Sequence, residues 1–136
     1  MNIEKNENIQ PYDLQAGIFK VLTHPTRLAI LDMLRDGEHC VCHMEAWLGL
    51  RQAYISQQLS VLRQAGLIHD RRDGWNIYYQ IADSRIFEVI NLVRRMTGTE
   101  AVELKKPAAT CACPQCSSAV SIAAGEPITL PINKNQ

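Results

Sequence analysis

Apolar residues recur at steps of three and four along the first third of the chain, a period that predicts amphipathic helices. The first helix covers about residues 12–22, and its apolar stripe consists of Leu14, Ile18, Val21 and Leu22. Thr23-His24-Pro25 interrupts the pattern, because proline disfavours helix in the residue before it but suits the first turn of a new helix. A second helix is therefore predicted from Pro25 to Arg35, ended by Asp36-Gly37.

Two short helical patterns then follow in close succession. The first ends in a turn at Gly49-Leu50, and the second runs from Gln52 to Gln64. Their apolar faces consist of Met44, Trp47 and Leu48 in the first helix and of Ile55, Leu59 and Leu62 in the second. The outer face of the second helix is polar. Two short helices with a tight turn between them are typical of a helix-turn-helix, whose second helix enters the major groove of DNA.

After Gly66 the period changes from helical to alternating. Residues 67–72 and 75–81 are predicted as two strands of a hairpin, separated by Asp73-Gly74, a residue pair favoured in two-residue turns. A hairpin directly after a helix-turn-helix forms a wing. Asp83 or Ser84 can cap a last helix that runs at least to Met96 and stops at Gly98.

The predicted fold class is mainly α with a small β-hairpin, a winged helix-turn-helix. The first and last helices carry more apolar surface than a small core can cover, which predicts a homodimer through these two helices. We divide the chain into a flexible N-terminus (1–11), a DNA-binding and dimerisation domain (12–98) and a cysteine-containing C-terminal tail (99–136) without sustained periodicity.

Composition narrows the class of protein. The 136 residues contain no apolar run near the roughly 20 residues that a membrane span needs, and the polar N-terminus lacks the core of a signal peptide. A cytoplasmic protein is expected, in which the five cysteines remain reduced and serve as metal ligands or redox groups. The net charge of zero conceals an excess of three positive charges over residues 51–95, the part that carries the predicted helix-turn-helix.

These features resemble the ArsR/SmtB family of metal-responsive winged-helix repressors over about residues 12–96, and most closely its arsenic-responsive members. The resemblance is carried by His24-Pro25-Thr26-Arg27-Leu28, Cys40-Val41-Cys42, residues 52–67, Arg71-Arg72-Asp73-Gly74 and Tyr78-Tyr79. It implies a homodimer that sits on operator DNA and leaves when its ligand binds.

The expected DNA contacts are Arg51, Gln52, Tyr54, Ser56, Gln57, Arg63, Arg71 and Arg72. The glutamines and the serine at the start of the second helix suit base edges, with glutamine pairing to adenine, while the tyrosine suits a sugar or a thymine methyl. The arginines suit phosphates, and those of the wing suit the minor groove. A solvated surface is the alternative for any single arginine.

Cys40 and Cys42 are the clearest chemical feature. Two thiolates one residue apart can chelate a soft ion, and the start of a helix favours the thiolate form. Two buried cysteines that merely fill space are the alternative. Members that resemble arsenic sensors often carry a third cysteine where this chain has Glu45, a hard ligand that suits trivalent arsenic poorly.

The missing thiol can come only from Cys111, Cys113 and Cys116 in the tail. The tail could share an ion with the Cys40–Cys42 pair, within or between subunits, hold a separate ion, or merely scavenge metals. We favour the shared site with As(III) as inducer, because closure of the tail would couple ligand binding to DNA release. Cd(II) and Pb(II) are alternative ions, and a disulfide from the pair to the tail is a redox alternative.

Other chemistry has little support in the sequence. The zinc site that some family members place on the last helix would correspond to Asp83, Arg85, Met96 and Thr99, of which only the aspartate suits zinc. His39 and His43 flank the thiols and could join a cadmium or zinc site. No catalytic residues are identified, so a thiol enzyme, a thiol-based metal carrier or a redox protein is the less favoured class. No organic cofactor, small-molecule substrate or membrane partner is expected.

Overall fold

The computed structural model describes residues 7–105. Its elements in chain order are α1 (Gln10–Val21), α2 (Pro25–Met33), β1 (His39–Cys40), α3 (Val41–Leu48), α4 (Gln52–Gln64), β2 (Ile68–Asp73), β3 (Asn76–Ile81) and α5 (Ile86–Thr97), with a 3₁₀ turn (Leu34–Asp36) after α2. The predicted winged helix-turn-helix is confirmed. The tail cysteines Cys111, Cys113 and Cys116, and most of the predicted N-terminal segment, lie outside the described residues.

The wing is the hairpin β2–β3, and its turn differs by one residue from the prediction. Asp73 pairs with Asn76, so the two loop residues are Gly74 and Trp75 rather than Asp73 and Gly74. Gly74 has a φ of 62°, which a primed turn requires at its first loop position and which glycine adopts without steric cost.

A short third strand joins the wing and was not predicted. The sheet order is β1-β3-β2, all antiparallel, with His39 opposite Tyr79 and Cys40 opposite Tyr78. Cys40 is therefore paired with β3, the central strand of this sheet.

The hydrophobic core lies between α2, α3, α4, the start of β2 and α5. Its fully buried side chains are Ile30, Leu31, Met44, Ile55, Leu59, Leu62 and Ile68. The apolar stripe predicted for α4 is the stripe that the structure buries, and this fixes which face of α4 points outward.

Helices α1 and α5 are covered on one side only. No residue of α1 is buried, and Leu14 and Met96 are 76% and 77% exposed. A groove of about 580 Å³ runs between α1, α2 and α5, with an apolar lining that includes Phe19, Leu28 and Val93. Leu28 lies in this groove and is 36% exposed. Within residues 7–105, no helix has the length and apolar character needed to cross a membrane.

Candidate nucleic-acid interface and thiol site

The turn between α3 and α4 sets the polar face of α4 outward. Gly49 ends α3 in the left-handed conformation with φ 64°, and its N–H donates to the carbonyl of Glu45. The chain is extended again at Arg51, which precedes the first turn of α4. The predicted base-reading side chains Gln52, Ser56 and Gln57 are all exposed on this face. A helix presented in this way can enter the major groove of DNA.

Tyr54 is only half-exposed and already has a partner inside the protein. Its hydroxyl lies 3.0 Å from Nε2 of His24. Because Nδ1 of His24 accepts the backbone N–H of Thr26 at 3.2 Å, the neutral ring carries its proton on Nε2 and donates it to the tyrosine oxygen. The phenol is therefore held towards α2. DNA contact by Tyr54 stays a prediction, and only the exposed part of its side chain is available for it.

Two of the four predicted phosphate-binding arginines have a carboxylate partner within the protein, and two do not. Arg63 lies 3.5 Å from Asp70, and Arg71 makes two hydrogen bonds with Glu38, at 3.2 and 2.5 Å. These bonds lower the pKa of the Glu38 carboxyl. Arg51 and Arg72 are exposed, and neither has an ion-pair partner among residues 7–105. Of these four arginines, Arg51 and Arg72 can therefore meet a phosphate without first leaving a carboxylate.

Trp75 is a surface residue that sequence reasoning missed. It occupies the second loop position at the wing tip and is 99% exposed. The available signal was a large aromatic residue directly after Asp73-Gly74, where a turn does not need one. A fully exposed indole near Arg72 of the wing is suited to lie against a sugar or to wedge between bases in a minor groove.

Cys40 and Cys42 lie in different surroundings although they are two positions apart. Cys40 is 5% exposed and is the N-cap of α3, where its Sγ accepts the backbone N–H of His43 at 3.4 Å. Cys42 is exposed in the first turn of α3, and neither sulfur forms a disulfide among residues 7–105. Within residues 7–105, no three His, Cys, Asp or Glu side chains are grouped closely enough to hold a metal ion. A third ligand for the cysteine pair is therefore not supplied by the described part of the chain.

The two histidines beside the cysteines form a stack. The rings of His39 and His43 lie 4.1 Å apart with an interplanar angle of 4°, and Trp47 follows at 5.5 Å from His43. Burial lowers the pKa of both histidines, that of His43 to about 4, with a further contribution from the neighbouring His39. Lone pairs of parallel stacked rings do not converge, so the two histidines cannot bind one ion together unless a ring turns.

A cavity of about 530 Å³ adjoins this stack. Its lining includes His39, His43 and Trp47, the end of α2, Arg94 of α5, and residues 100 and 102–104. Leu104 packs against the core. The described chain thus ends, at Lys105, beside the wall that contains the neighbours of Cys40 and Cys42.

Asp83 does not have a free carboxylate for the zinc site considered above. Arg85 donates to both of its oxygens, at distances of 2.5–3.1 Å. These hydrogen bonds lower the pKa of Asp83 to about 2.

Similarity to known proteins agrees with this architecture. A family profile described as "Bacterial regulatory protein, arsR family" matches residues 24–70. The chain is 42% identical over 87 residues to the uncharacterized HTH-type transcriptional regulator MJ1325 of Methanocaldococcus jannaschii, covering 62% of this chain and 97% of that protein. The chain belongs to the ArsR family. It is a transcriptional regulator of that family, as the resemblance in its sequence implied.

Two further similarities extend beyond the helix-turn-helix of this ArsR-family chain. A transcriptional repressor SmtB homolog of Synechocystis is 32% identical over 103 residues, covering 71% of this chain and 76% of that protein. The solution NMR structure of a homodimeric winged helix-turn-helix DNA-binding domain from Mycobacterium bovis has a TM-score of 0.60 at 30% identity, covering 76% of this chain and 94% of that one. The ion sensed by the present chain stays a prediction.

Proposed function

We propose that this ArsR-family chain is a homodimeric repressor that occupies operator DNA in its ion-free form and leaves when As(III) binds Cys40, Cys42 and thiols of the tail. The observation that carries this proposal is the place of Cys40. It caps α3, the first helix of the helix-turn-helix, and pairs through β1 with Tyr78 of the wing. An ion that draws this sulfur away from its buried position disturbs both parts that would hold DNA.

The DNA surface follows from the exposed side chains. The outer face of α4 enters the major groove, where Gln52, Ser56 and Gln57 read base edges. The wing lies along the adjacent minor groove with Arg72 on the phosphates and Trp75 at its tip.

A second copy of the chain covers the apolar faces of α1 and α5. Leu14, Phe19 and Met96 are more than half exposed on these helices, and the apolar groove between them needs a partner. The homodimeric neighbour from Mycobacterium bovis supports this assembly. A two-fold dimer places two α4 helices on half-sites about one helical turn apart, so the operator is an imperfect palindrome.

The pair at Cys40 and Cys42 needs one more soft ligand to complete the three-thiolate set that we propose for As(III). The nearby alternative Glu45 is a hard ligand, and the described residues offer no cluster of three donors. Five residues lie between Lys105 and Cys111, and the six Cα–Cα steps that join them span up to about 20 Å when extended. The chain leaves the described residues beside the wall of the cavity next to the cysteine pair, so a tail thiol of the same subunit is the simplest third ligand.

The test is release of labelled DNA measured by fluorescence anisotropy. A duplex selected from a random library by the ion-free protein is bound, and arsenite, Cd(II), Pb(II) or Zn(II) is added without oxygen, in a phosphine reductant that does not chelate these ions. The intact chain and a chain truncated after Lys106 are compared.

We expect arsenite to release the intact chain at low concentration and to leave the truncated chain bound. Release by Cd(II) or Pb(II) but not by arsenite would assign a different ion to the same site. Release of the truncated chain at the same arsenite concentration would remove the tail from the site. Release by peroxide alone, reversed by reductant, would favour a disulfide switch instead.

A further inference from the structure

The start of α2 makes two polar contacts with α4 that the proposed DNA surface does not explain. Arg27 donates from Nε to the Oε1 of Gln58 at 2.8 Å and from an Nη to the carbonyl of Val21 at 3.0 Å. Three residues earlier, His24 donates to the hydroxyl of Tyr54. We call His24 and Arg27 the α2 clamp.

Gln58 shows why the contact with Arg27 matters. It lies on α4 but is only 7% exposed, the one polar side chain buried to that degree among the described residues. A buried amide without a hydrogen bond is costly, and an apolar side chain would fill the same place without that cost. A hydrogen bond is directional, whereas apolar packing tolerates sliding. The Arg27–Gln58 bond therefore fixes an orientation of α4 that the apolar side chains of this helix leave free.

The two contacts lie at two positions along the axis of α4. Tyr54 and Gln58 are four residues apart and therefore lie on one side of α4, one turn from each other. Two anchors on one side set both the rotation of α4 about its axis and its position along that axis. Rotation decides which side chains reach the base edges.

The other end of α2 is attached to α5. Asp32 accepts a hydrogen bond from Arg94 at 2.6 Å and another from Arg35 at 3.0 Å. Helix α2 thus connects α5, on the surface proposed to pair the subunits, with α4, on the surface proposed to read DNA. It also borders the cavity beside the cysteine pair.

We propose that His24 and Arg27 are positioning residues for DNA recognition: they set the orientation of α4 so that its outer face reads bases, without touching DNA themselves. This inference rests on the proposed function of α4.

The decisive variants are those of the buried partner Gln58, whose side chain is only 7% exposed. Gln58→Met and Arg27→Met each remove the hydrogen bond and keep a side chain of similar length, and Gln58→Glu keeps an acceptor for Arg27. Affinities for the selected operator and for an unrelated duplex are measured by anisotropy on the full chain, together with the melting temperature of each variant.

Gln58→Met is expected to weaken operator binding about tenfold, equal to about 1.4 kcal/mol. Binding to the unrelated duplex should change less than about twofold, because phosphate contacts do not depend on the exact rotation of α4. The double variant Arg27→Met with Gln58→Met should be no weaker than the weaker single variant, since both remove one contact. Gln58→Glu should stay within about twofold of the unchanged protein because the carboxylate still accepts from Arg27.

His24→Asn separates the clamp from the helix cap. Asparagine still caps the N-terminus of α2 but is too short to reach Tyr54, so operator binding should fall about fivefold, with less change for the unrelated duplex. The clamp would be refuted if Gln58→Met left the ratio of operator to unrelated affinity unchanged, whether or not the melting temperature fell. If the unchanged protein selected no duplex at all, the proposed function itself would fail, and the clamp with it.

Discussion

Cys40 and Cys42 have different surroundings in the ion-free protein. Cys40 is buried as the cap of α3 and is opposite Tyr78 in the sheet, while Cys42 is exposed to solvent. The proposed site needs both sulfurs on one ion, so an ion bound there would act directly on the cap of α3. Ligand binding and release of the helix-turn-helix would then be a single structural event.

At the same scale, His43 gives the protein a dependence on pH. Burial and the neighbouring His39 lower the pKa of His43 from 6.5 to about 4 in the folded protein. Between these two values the unfolded chain binds a proton that the folded chain does not, so stability is lost as the pH falls from about 6.5 towards 4. The melting temperature should decline over this range, and less steeply in His43→Gln.

The matched control is His69→Gln, a change at an exposed histidine on β2. It removes a histidine that is not part of the stack, so the comparison isolates the effect of position 43. Identical curves for His43→Gln and the unchanged protein would show that the stack carries no such penalty.

At the scale of elements, periodicity predicted the helices well. The α4 bounds Gln52 and Gln64 are those of the structure, because a long amphipathic pattern between clear stop signals leaves little freedom. β1 escaped prediction because two residues have no period and their partners lie in β3, far along the chain. The ion pair between Arg71 and Glu38 is invisible for the same reason: it joins residues that only the fold brings together.

The wing provides a test of which arginines meet DNA. Arg72→Ala should weaken binding to any duplex and reduce the slope of log affinity against log salt concentration by about one, because one phosphate contact is lost. The double variant Arg71→Ala with Glu38→Ala removes an internal ion pair at constant net charge and should change the slope little. Equal slopes for the two variants would mean that Arg71 exchanges its carboxylate for phosphate.

At the scale of the whole molecule, the apolar surfaces of α1 and α5 account for assembly. Met96 is 77% exposed on α5, so Met96→Glu should place a charge in the dimer interface and give a monomer in analytical ultracentrifugation. Helical circular dichroism should be retained, because the side chain contributes little to the core of one subunit. Trp75→Glu, an equally drastic change at the wing tip, should remain dimeric; a dimeric Met96→Glu would place the interface elsewhere.

The arrangement of the tail can be tested in mixed dimers. One subunit carries Cys40→Ser with Cys42→Ser, and its partner is truncated after Lys106. If the ligands come from one subunit, neither half of this dimer has a complete site, and arsenite should not release it from DNA. Release by arsenite, with one bound ion per dimer instead of two, would show that the tail of one subunit reaches the cysteine pair of the other.

The most direct measurement of the central claim is arsenite-driven release of operator DNA from the double variant Cys40→Ser with Cys42→Ser, followed by anisotropy beside the unchanged protein. Serine is a good helix cap and can replace the sulfur of Cys40 in accepting the N–H of His43, so the ion-free variant should bind DNA as well as the unchanged protein. We predict that arsenite releases the unchanged protein and leaves the variant bound. Release of both at the same arsenite concentration would contradict the assignment of the cysteine pair as the sensing site.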